Sequence, residues 1–403
     1  MATMPTSESS TVDRPSRLLT AALGALTAVA PMATDIYLPG LPALAADLGV
    51  PATDAQLTLS AFFFGFGGGQ LIYGPLADRF GRRPLLLAGL SLFTAASLGC
   101  ALAQSIGTLL VLRFLEALGG CAGPVLARAA VRDLYGGDRA ARMLSTMVLV
   151  MGAAPLFAPL IGGQLLLLGG WRTNFWALTA FGTLCLAAVL CVLGETLPPE
   201  RRLRASAVGM IRSYGLLLTD RRYLGFALGG GAVYGGLFAY LTGSPFVFIT
   251  LYGVPAERFG FLFMLNVAGL MLAASINRRI VMRFGAHRLL GHALLGSAVA
   301  GALVLAVVLS GRGGLIALLV PLWFFIFSLG FVGANAMASG LSLYPERAGT
   351  ASALSGTLQF SIGAACGALV GALNDGSALP MATVICGAGV AGLAIQRWLA
   401  PHR

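Results

Sequence analysis

The chain of 403 residues is 57% hydrophobic and 10% charged, with a mean hydropathy of +0.86, more apolar surface than a water-soluble domain can hide. A net charge of +11 would suggest nucleic acid in a soluble protein, but the placement of the charge excludes that reading. There is no lysine, and of the 26 basic residues only Arg172, Arg258 and Arg312 face one side and Arg113 and Arg128 fall within a span, leaving 21 on the other side, the positive-inside bias of a multi-pass membrane protein.

Residues 1–17 are polar and Ser/Thr-rich and read as a disordered cytoplasmic tail. They are not a cleavable signal, because the apolar stretch that follows is too long for one. Six spans follow at 18–38, 54–76, 85–103, 107–131, 143–168 and 175–194. A polar, Arg-rich segment at 195–223 reads as a cytoplasmic linker, and six more spans come at 224–250, 257–280, 288–309, 315–338, 350–373 and 379–399. Each approaches or exceeds the roughly 20 residues a bilayer requires. The expected fold class is an all-α membrane protein with twelve transmembrane helices in two six-helix halves, 18–194 and 224–403, and both termini in the cytoplasm. The six cysteines lie inside apolar runs without metal or C-x-x-C spacing and read as small core residues.

Between spans 2 and 3 lies Gly74-Pro75-Leu76-Ala77-Asp78-Arg79-Phe80-Gly81-Arg82-Arg83-Pro84, a bridge with four charges. A short loop this basic resists translocation and belongs on the cytoplasmic side. Gly74 and Gly81 suit close helix approach and a tight turn, and Pro84 suits the first turn of the outgoing helix. Arg79-Phe80-Gly81 recurs half a chain later as Arg283-Phe284-Gly285, between spans 8 and 9, with Met282 where Asp78 would stand. Parallel repeats of this kind build secondary transporters around a central substrate site. The pattern Gly-x-Leu-Ala-Asp-Arg-x-Gly-Arg-Arg-Pro between two membrane helices resembles the loop 2–3 signature of the major facilitator superfamily; a merely topogenic loop is the competing reading. The resemblance implies that Asp78 latches onto the positive end of span 11, which starts from the cytoplasm near Gly349.

Charges inside the spans are few and therefore informative. Asp35 lies near the outer end of span 1, and span 4 carries Arg113 and Glu116, three residues apart and on one helix face. Asp35 and Arg113 each lie roughly 6–9 Å from the outer end, with Glu116 about a turn deeper, so the three are placed to meet in one cavity of the first half. Two acids against one arginine leave a carboxyl available to a proton. Whether Asp35 or Glu116 carries it stays open, as does a purely structural network fixing spans 1 and 4. The second half has no acid or arginine deep in a span, and His292 lies near a cytoplasmic end.

Span 5 contains Pro155, Pro159, Gly162 and Gly163, a run suited to a kink and to close helix approach. It resembles the Gly-x-x-x-Gly-Pro-x-x-Gly-Gly antiporter motif of the superfamily's exporters, with Ala158 in place of the second Gly. Asp35-Ile36-Tyr37-Leu38-Pro39, Val131-Arg132-Asp133-Leu134-Tyr135, Ser244-Pro245-Phe246-Val247 and Gly349-Thr350-Ala351-Ser352-Ala353-Leu354 are similar to the Bcr/CflA-type transporters, drug:proton antiporters that include bicyclomycin and chloramphenicol exporters. The departure is Glu116, where such sequences usually carry Gln.

An apolar, aromatic pocket with isolated polar groups suits adaptable recognition. Its candidate residues are Asp35, Phe62, Phe63, Phe66, Tyr234, Phe238, Tyr240, Asn266 and Gln359, with core packing as the bland alternative for each. The gating and structural set is Gly74, Asp78, Arg79, Gly81, Arg82, Arg83, Arg128, Pro155, Pro159, Gly162 and Gly163. The reading is a monomeric twelve-helix antiporter of the bacterial inner membrane that exchanges lipophilic drugs for protons, with no metal, no nucleic acid and no cofactor beyond the proton gradient. The alternative is an exporter of an endogenous metabolite such as an amino acid or sugar. An enzyme or channel fits poorly, since no nucleophile constellation is visible and two six-span halves suit alternating access.

Overall fold

The computed structural model describes residues 17–202 and 207–400, so the tail expected at 1–17 lies, up to residue 16, outside them. Every regular element among the described residues is helical. In the first half α1 (Arg17–Asp35) ends in a 3-10 turn, Leu38–Gly40, and the short α2 (Leu41–Asp47). Pro39 and Pro42, each in a first turn, restart the helix there. There follow α3 (Ala52–Phe80), α4 (Arg82–Leu102), α5 (Ile106–Gly120), α6 (Ala122–Leu134), α7 (Gly137–Gly169) and α8 (Arg172–Val192). The linker holds α9 (Ala207–Thr219). The second half is α10 (Arg221–Pro245), α11 (Ala256–Phe284), α12 (Ala286–Ser310), α13 (Gly314–Ser342), α14 (Ala348–Ala372) and α15 (Leu379–Leu399).

Among the described residues, eleven helical segments are long and apolar enough to cross a membrane. The remaining span is α3, whose 29 residues include Gly65, Gly67, Gly68, Gly69 and Gln70. Its mixed character suits its place, because it packs on α5 within the first half and on α14 of the second. Span 4 comprises α5 and α6, which run on through Cys121 with helical backbone angles as one stretch, Ile106–Leu134. Large apolar residues such as Leu149, Leu168, Leu184 and Ile316 stand exposed around the outside, as lipid-facing positions do. Cys191 is among the exposed residues, which corrects its assignment to the core, while Cys100, Cys121 and Cys185 are buried.

The half-chain repeat is carried into three dimensions. Both α3 and α11 are 29 residues long, begin after a proline (Pro51, Pro255) and end at a glycine. Gly81 and Gly285 take φ of 102° and 81°, a left-handed turn that glycine adopts without cost before the next helix. Contacts between the halves obey the same symmetry: α3 runs along α14, and α7 runs along α11.

Those contacts close the face opposite the arginine-rich one. Gln56 Nε2 donates to the Thr242 carbonyl at 3.3 Å, and Thr357 Oγ1 donates to the Gly67 carbonyl at 2.9 Å. On the other pair, a Cβ built at Gly163 would lie 3.0 Å from Glu257 Cα. The sharpest approach is within the first half, where a Cβ at Gly162 would lie 1.6 Å from the Ile36 carbonyl oxygen. Only glycine lets the end of α1 lie against α7 there. The expectation for Gly74 does not hold. A Cβ there meets nothing within 4 Å, nor does one at Gly349, because the α3–α14 seam is not drawn tight at these arginine-side positions.

Candidate functional site

Arg113 and Glu116 form a closed unit. Both are fully buried, and Arg113 Nη1 lies 2.5 Å from Glu116 Oε2. The same Nη1 donates to the Ala33 carbonyl at 3.1 Å, which ties α5 to α1. The other carboxylate oxygen of Glu116 accepts from Ser97 of α4 at 2.7 Å. The guanidinium carbon sits 4.2 Å from the centre of the Tyr37 ring, 4.4 Å from that of Phe62 and 5.6 Å from that of Phe175. Arg113 Nε and Nη2 have no hydrogen-bond acceptor, so the aromatic faces supply their stabilisation. Tyr37 is fixed in turn by Thr58, 3.1 Å from its hydroxyl.

Asp35 does not join this unit, contrary to the sequence expectation. It is 4% exposed, and none of the ion pairs among the described residues includes it. The reason is angular. Arg113 meets Ala33 only through its backbone carbonyl but lies over the Tyr37 ring, and Asp35 stands two residues before Tyr37, roughly 200° round a helical turn. The 3-10 turn that follows Asp35, Leu38–Gly40, packs instead on α10 and α11 of the second half. Tyr240 accepts from Asn266 Nδ2 of α11 at 3.1 Å, and Asn266 Oδ1 is buried without a partner. Asp35 therefore belongs to the junction between the halves, with two of the sequence-predicted pocket residues.

The other predicted pocket residues divide. Phe63 and Phe66 of α3 meet Phe238 and Phe360 of the second half, with ring centres 4.2 Å apart for Phe63–Phe238 and 4.6 Å for Phe66–Phe360. Tyr234 and Gln359 are half-buried on the arginine-rich side of that cluster. Phe62 is turned onto Arg113, which corrects its assignment to the pocket: the cation takes the ring face a ligand would need.

At the arginine-rich face, Arg82 is the hub of the loop motif. It pairs with Asp78 at 2.6 Å and with Asp133 at 3.0 Å, and its backbone N–H donates to Glu195 at 2.9 Å. Arg83 Nη2 donates to the Leu190 carbonyl at 3.0 Å, and Arg128 Nε to the Pro124 carbonyl at 2.9 Å. Arg79 lies over the Phe80 ring. A Cβ at Gly81 would lie 2.3 Å from Glu195 Oε2, a second reason for glycine there. The contact between Asp78 and the start of span 11 is not made here. The Asp78 charge is taken by Arg82, and the start of α14 is engaged instead by Tyr223, whose hydroxyl donates to the Ala351 carbonyl at 2.6 Å.

Residues 23–368 match the Major Facilitator Superfamily. The chain belongs to that superfamily. It is 35% identical over 369 residues to a bicyclomycin resistance protein homolog of Haemophilus influenzae, covering 89% of this chain and 90% of that one. It is 31% identical over 339 residues to multidrug resistance protein D of Escherichia coli K12, covering 83% of each. Among solved structures it resembles the xylose transporter XylE of E. coli in a partially occluded inward-open conformation, with a TM-score of 0.73, 14% identity and coverage of 95% and 97%. This is a multi-pass membrane transporter of the facilitator fold, a fold whose drug transporters handle small molecules.

Sequence reasoning missed the partners that make these superfamily motifs work. Ser97, Tyr37 and Phe175 complete the Arg113 cage, and Asp133 and Glu195 complete the Arg82 hub. Asp133 and Tyr37 both stood inside quoted motifs, and Asp133 could have been paired with the loop by charge alone. The others are ordinary residues whose roles exist only through contacts distant in sequence.

Proposed function

We propose that the chain is a proton-driven exporter of lipophilic drugs of the bicyclomycin or chloramphenicol type. It works as a monomer in the bacterial inner membrane with the arginine-rich face and both termini in the cytoplasm. The observation that carries this reading is the unequal treatment of the two buried acids. Glu116 is balanced by Arg113 and held by Ser97, whereas no ion pair among the described residues includes Asp35. A proton arriving at Glu116 would strand the Arg113 charge, while one arriving at Asp35 strands nothing. Asp35 is the proton carrier, and a cationic or polar drug reaching the Asp35–Tyr240–Asn266 junction displaces its proton.

Phe63, Phe66, Phe238 and Phe360 give a deformable aromatic wall for greasy substrates, with Tyr234 and Gln359 at its margin. The halves 18–194 and 224–403 rock about the junction, joined by the linker 195–223. The proton gradient is the only energy source, and neither a cofactor nor catalysis is required.

The test is expression in an efflux-deficient bacterium, with bicyclomycin and chloramphenicol among the challenges. The wild type should confer resistance that a protonophore abolishes, and Asp35→Asn should confer none. Tyr234→Ala and Phe238→Ala should alter which drugs are resisted more than whether any is. Full resistance from well-expressed Asp35→Asn contradicts the proposal.

A further inference from the structure

The repeat places a second loop at the arginine-rich face, and its surroundings are unlike the first. Around Gly81 the Arg82 guanidinium is answered within the protein by Asp78 and Asp133, Glu195 accepts its backbone N–H, and Arg83 donates to the Leu190 carbonyl. Around Gly285 the acid is missing, because Met282 stands at the Asp78 position and is 92% exposed. In place of a knitted network there is a cleft of about 800 Å³ between the ends of α11, α12 and α15. Arg288 and Arg397 line it together with His292, and no acidic side chain among the described residues does. His287, also in the wall, packs edge-on against Phe226. Neither Arg288 nor Arg397 belongs to an ion pair among the described residues.

The walls of this cleft run on into the apolar zone. On α12 the residues Arg288, His292, Leu295 and Val299 succeed one another at helical spacing along one face. On α15, which packs against α12, the residues Arg397, Leu393 and Val390 do the same. Leu295, Val299 and Val390 are exposed, as residues facing acyl chains are. Trp398, 83% exposed beside Arg397, marks the headgroup level, where tryptophans of membrane proteins collect. The first turn of α12 adds backbone N–H groups capped by no side chain, since the residue before it is Gly285.

We propose that this cleft binds the phosphate headgroup of an anionic phospholipid from the surrounding bilayer, with Arg288 and Arg397 on the phosphate and the acyl chains along the α12–α15 stripes. Bilayer phosphate stands where the first half uses its own carboxylates, and a bound lipid braces the ends of α12 and α15. Basic clefts between membrane helices recognise anionic headgroups by this combination of charge and depth.

The test follows the thermal unfolding midpoint of the purified full-length protein in a neutral detergent. Phosphatidylglycerol, phosphatidylethanolamine and inorganic phosphate are titrated separately into wild type, Arg288→Gln/Arg397→Gln and the surface control Arg142→Gln. Phosphatidylglycerol should raise the wild-type midpoint saturably, with phosphatidylethanolamine weaker and inorganic phosphate inert. The double variant should require roughly 30-fold more phosphatidylglycerol for the same shift, while Arg142→Gln behaves as wild type. Phosphatidylglycerol retained through purification and counted by native mass spectrometry on the wild type, at one per chain or more, gives a readout that needs no variant. An equal response in the double variant, or an equal loss in Arg142→Gln, overturns the site. Stabilisation by inorganic phosphate that the double variant loses makes the ligand a soluble phosphate and overturns the lipid assignment. Absence of any retained phosphatidylglycerol together with no wild-type shift also overturns it.

Discussion

The two buried acids of the first half differ in what answers them. Glu116 lies three residues from Arg113 on one helix and meets it at 2.5 Å, and Ser97 holds its second oxygen. Asp35 lies at the end of α1, flanked two residues away on either side by groups that touch Arg113, and yet joins no ion pair among the described residues and leads into the turn that packs on α10 and α11. The difference teaches that nearness in sequence and in depth does not make a network; the helical angle does. One acid has its counter-charge three residues away on the same helix, and the other is the one to which the proposed function assigns proton exchange.

The largest expected effect tests the structural half of that contrast. Arg113→Leu leaves Glu116 buried and unanswered and should cost about 3–5 kcal/mol, seen as loss of monodisperse protein or a steep fall in unfolding midpoint. Arg113→Leu combined with Glu116→Leu should recover most of that loss, because an apolar pair of similar volume replaces the buried ions. Failure of the double variant to recover would mean that the cation is needed for the aromatic cage itself.

Next comes the point where α1 is pinned to α7. Gly162→Ala places a methyl against the Ile36 carbonyl, which is backbone and cannot swing away. It should cost about 1–3 kcal/mol and impair transport by displacing Asp35, whereas Gly163→Ala should be milder. Equal behaviour of the two variants in stability and transport assays would break the link between this glycine and the Asp35 position.

A smaller effect is expected at Asp220, outside the spans. Its carboxylate caps α10 through the Arg222 and Tyr223 N–H groups and accepts from the Tyr344 hydroxyl at 2.6 Å. Burial pushes its pKa up, but the Tyr344 hydroxyl and the two backbone donors outweigh that and hold it below the ordinary carboxylate value. A depressed folded value means that the contribution is present above about pH 4 and is lost as pH falls through the folded value. Asp220→Ala should therefore lower the midpoint by an amount worth about 1 kcal/mol near neutral pH, and by less in acid. Smallest of all is Asp78→Asn, which breaks one leg of the Arg82 hub while Asp133 and Glu195 remain; about 0–1 kcal/mol in stability is expected. A marked loss of transport without loss of stability would instead reveal a contact made in another state of the cycle.

Much of this was legible in the sequence. The twelve spans, the Arg-rich face and the half-chain repeat follow from hydropathy, charge and the recurrence of Arg-Phe-Gly. That Arg113 and Glu116 share a helix face follows from their spacing, since residues three apart on a helix are neighbours, and the structure pairs them. Asp35 was misplaced because depth along a span says nothing of rotation about it, and because α1 ends at Asp35 and hands over to a 3-10 turn. Phe62 was misassigned for the same reason: its ring could not be known to lie on Arg113 without the packing of α3 on α5. Ser97, Asp133 and Glu195 escaped because each acts through a partner from another helix or loop.

The central claim is that Asp35, not Glu116, exchanges the proton. The direct measurement is substrate-induced proton release from the detergent-solubilised protein, compared among wild type, Asp35→Asn and Glu116→Gln. An amide keeps the shape and hydrogen bonds of the acid but cannot ionise. The account predicts release from wild type, release of similar size from Glu116→Gln, and none from Asp35→Asn. Release from Asp35→Asn with none from Glu116→Gln would reverse the roles of the two acids, and release from both single variants would place the carrier elsewhere.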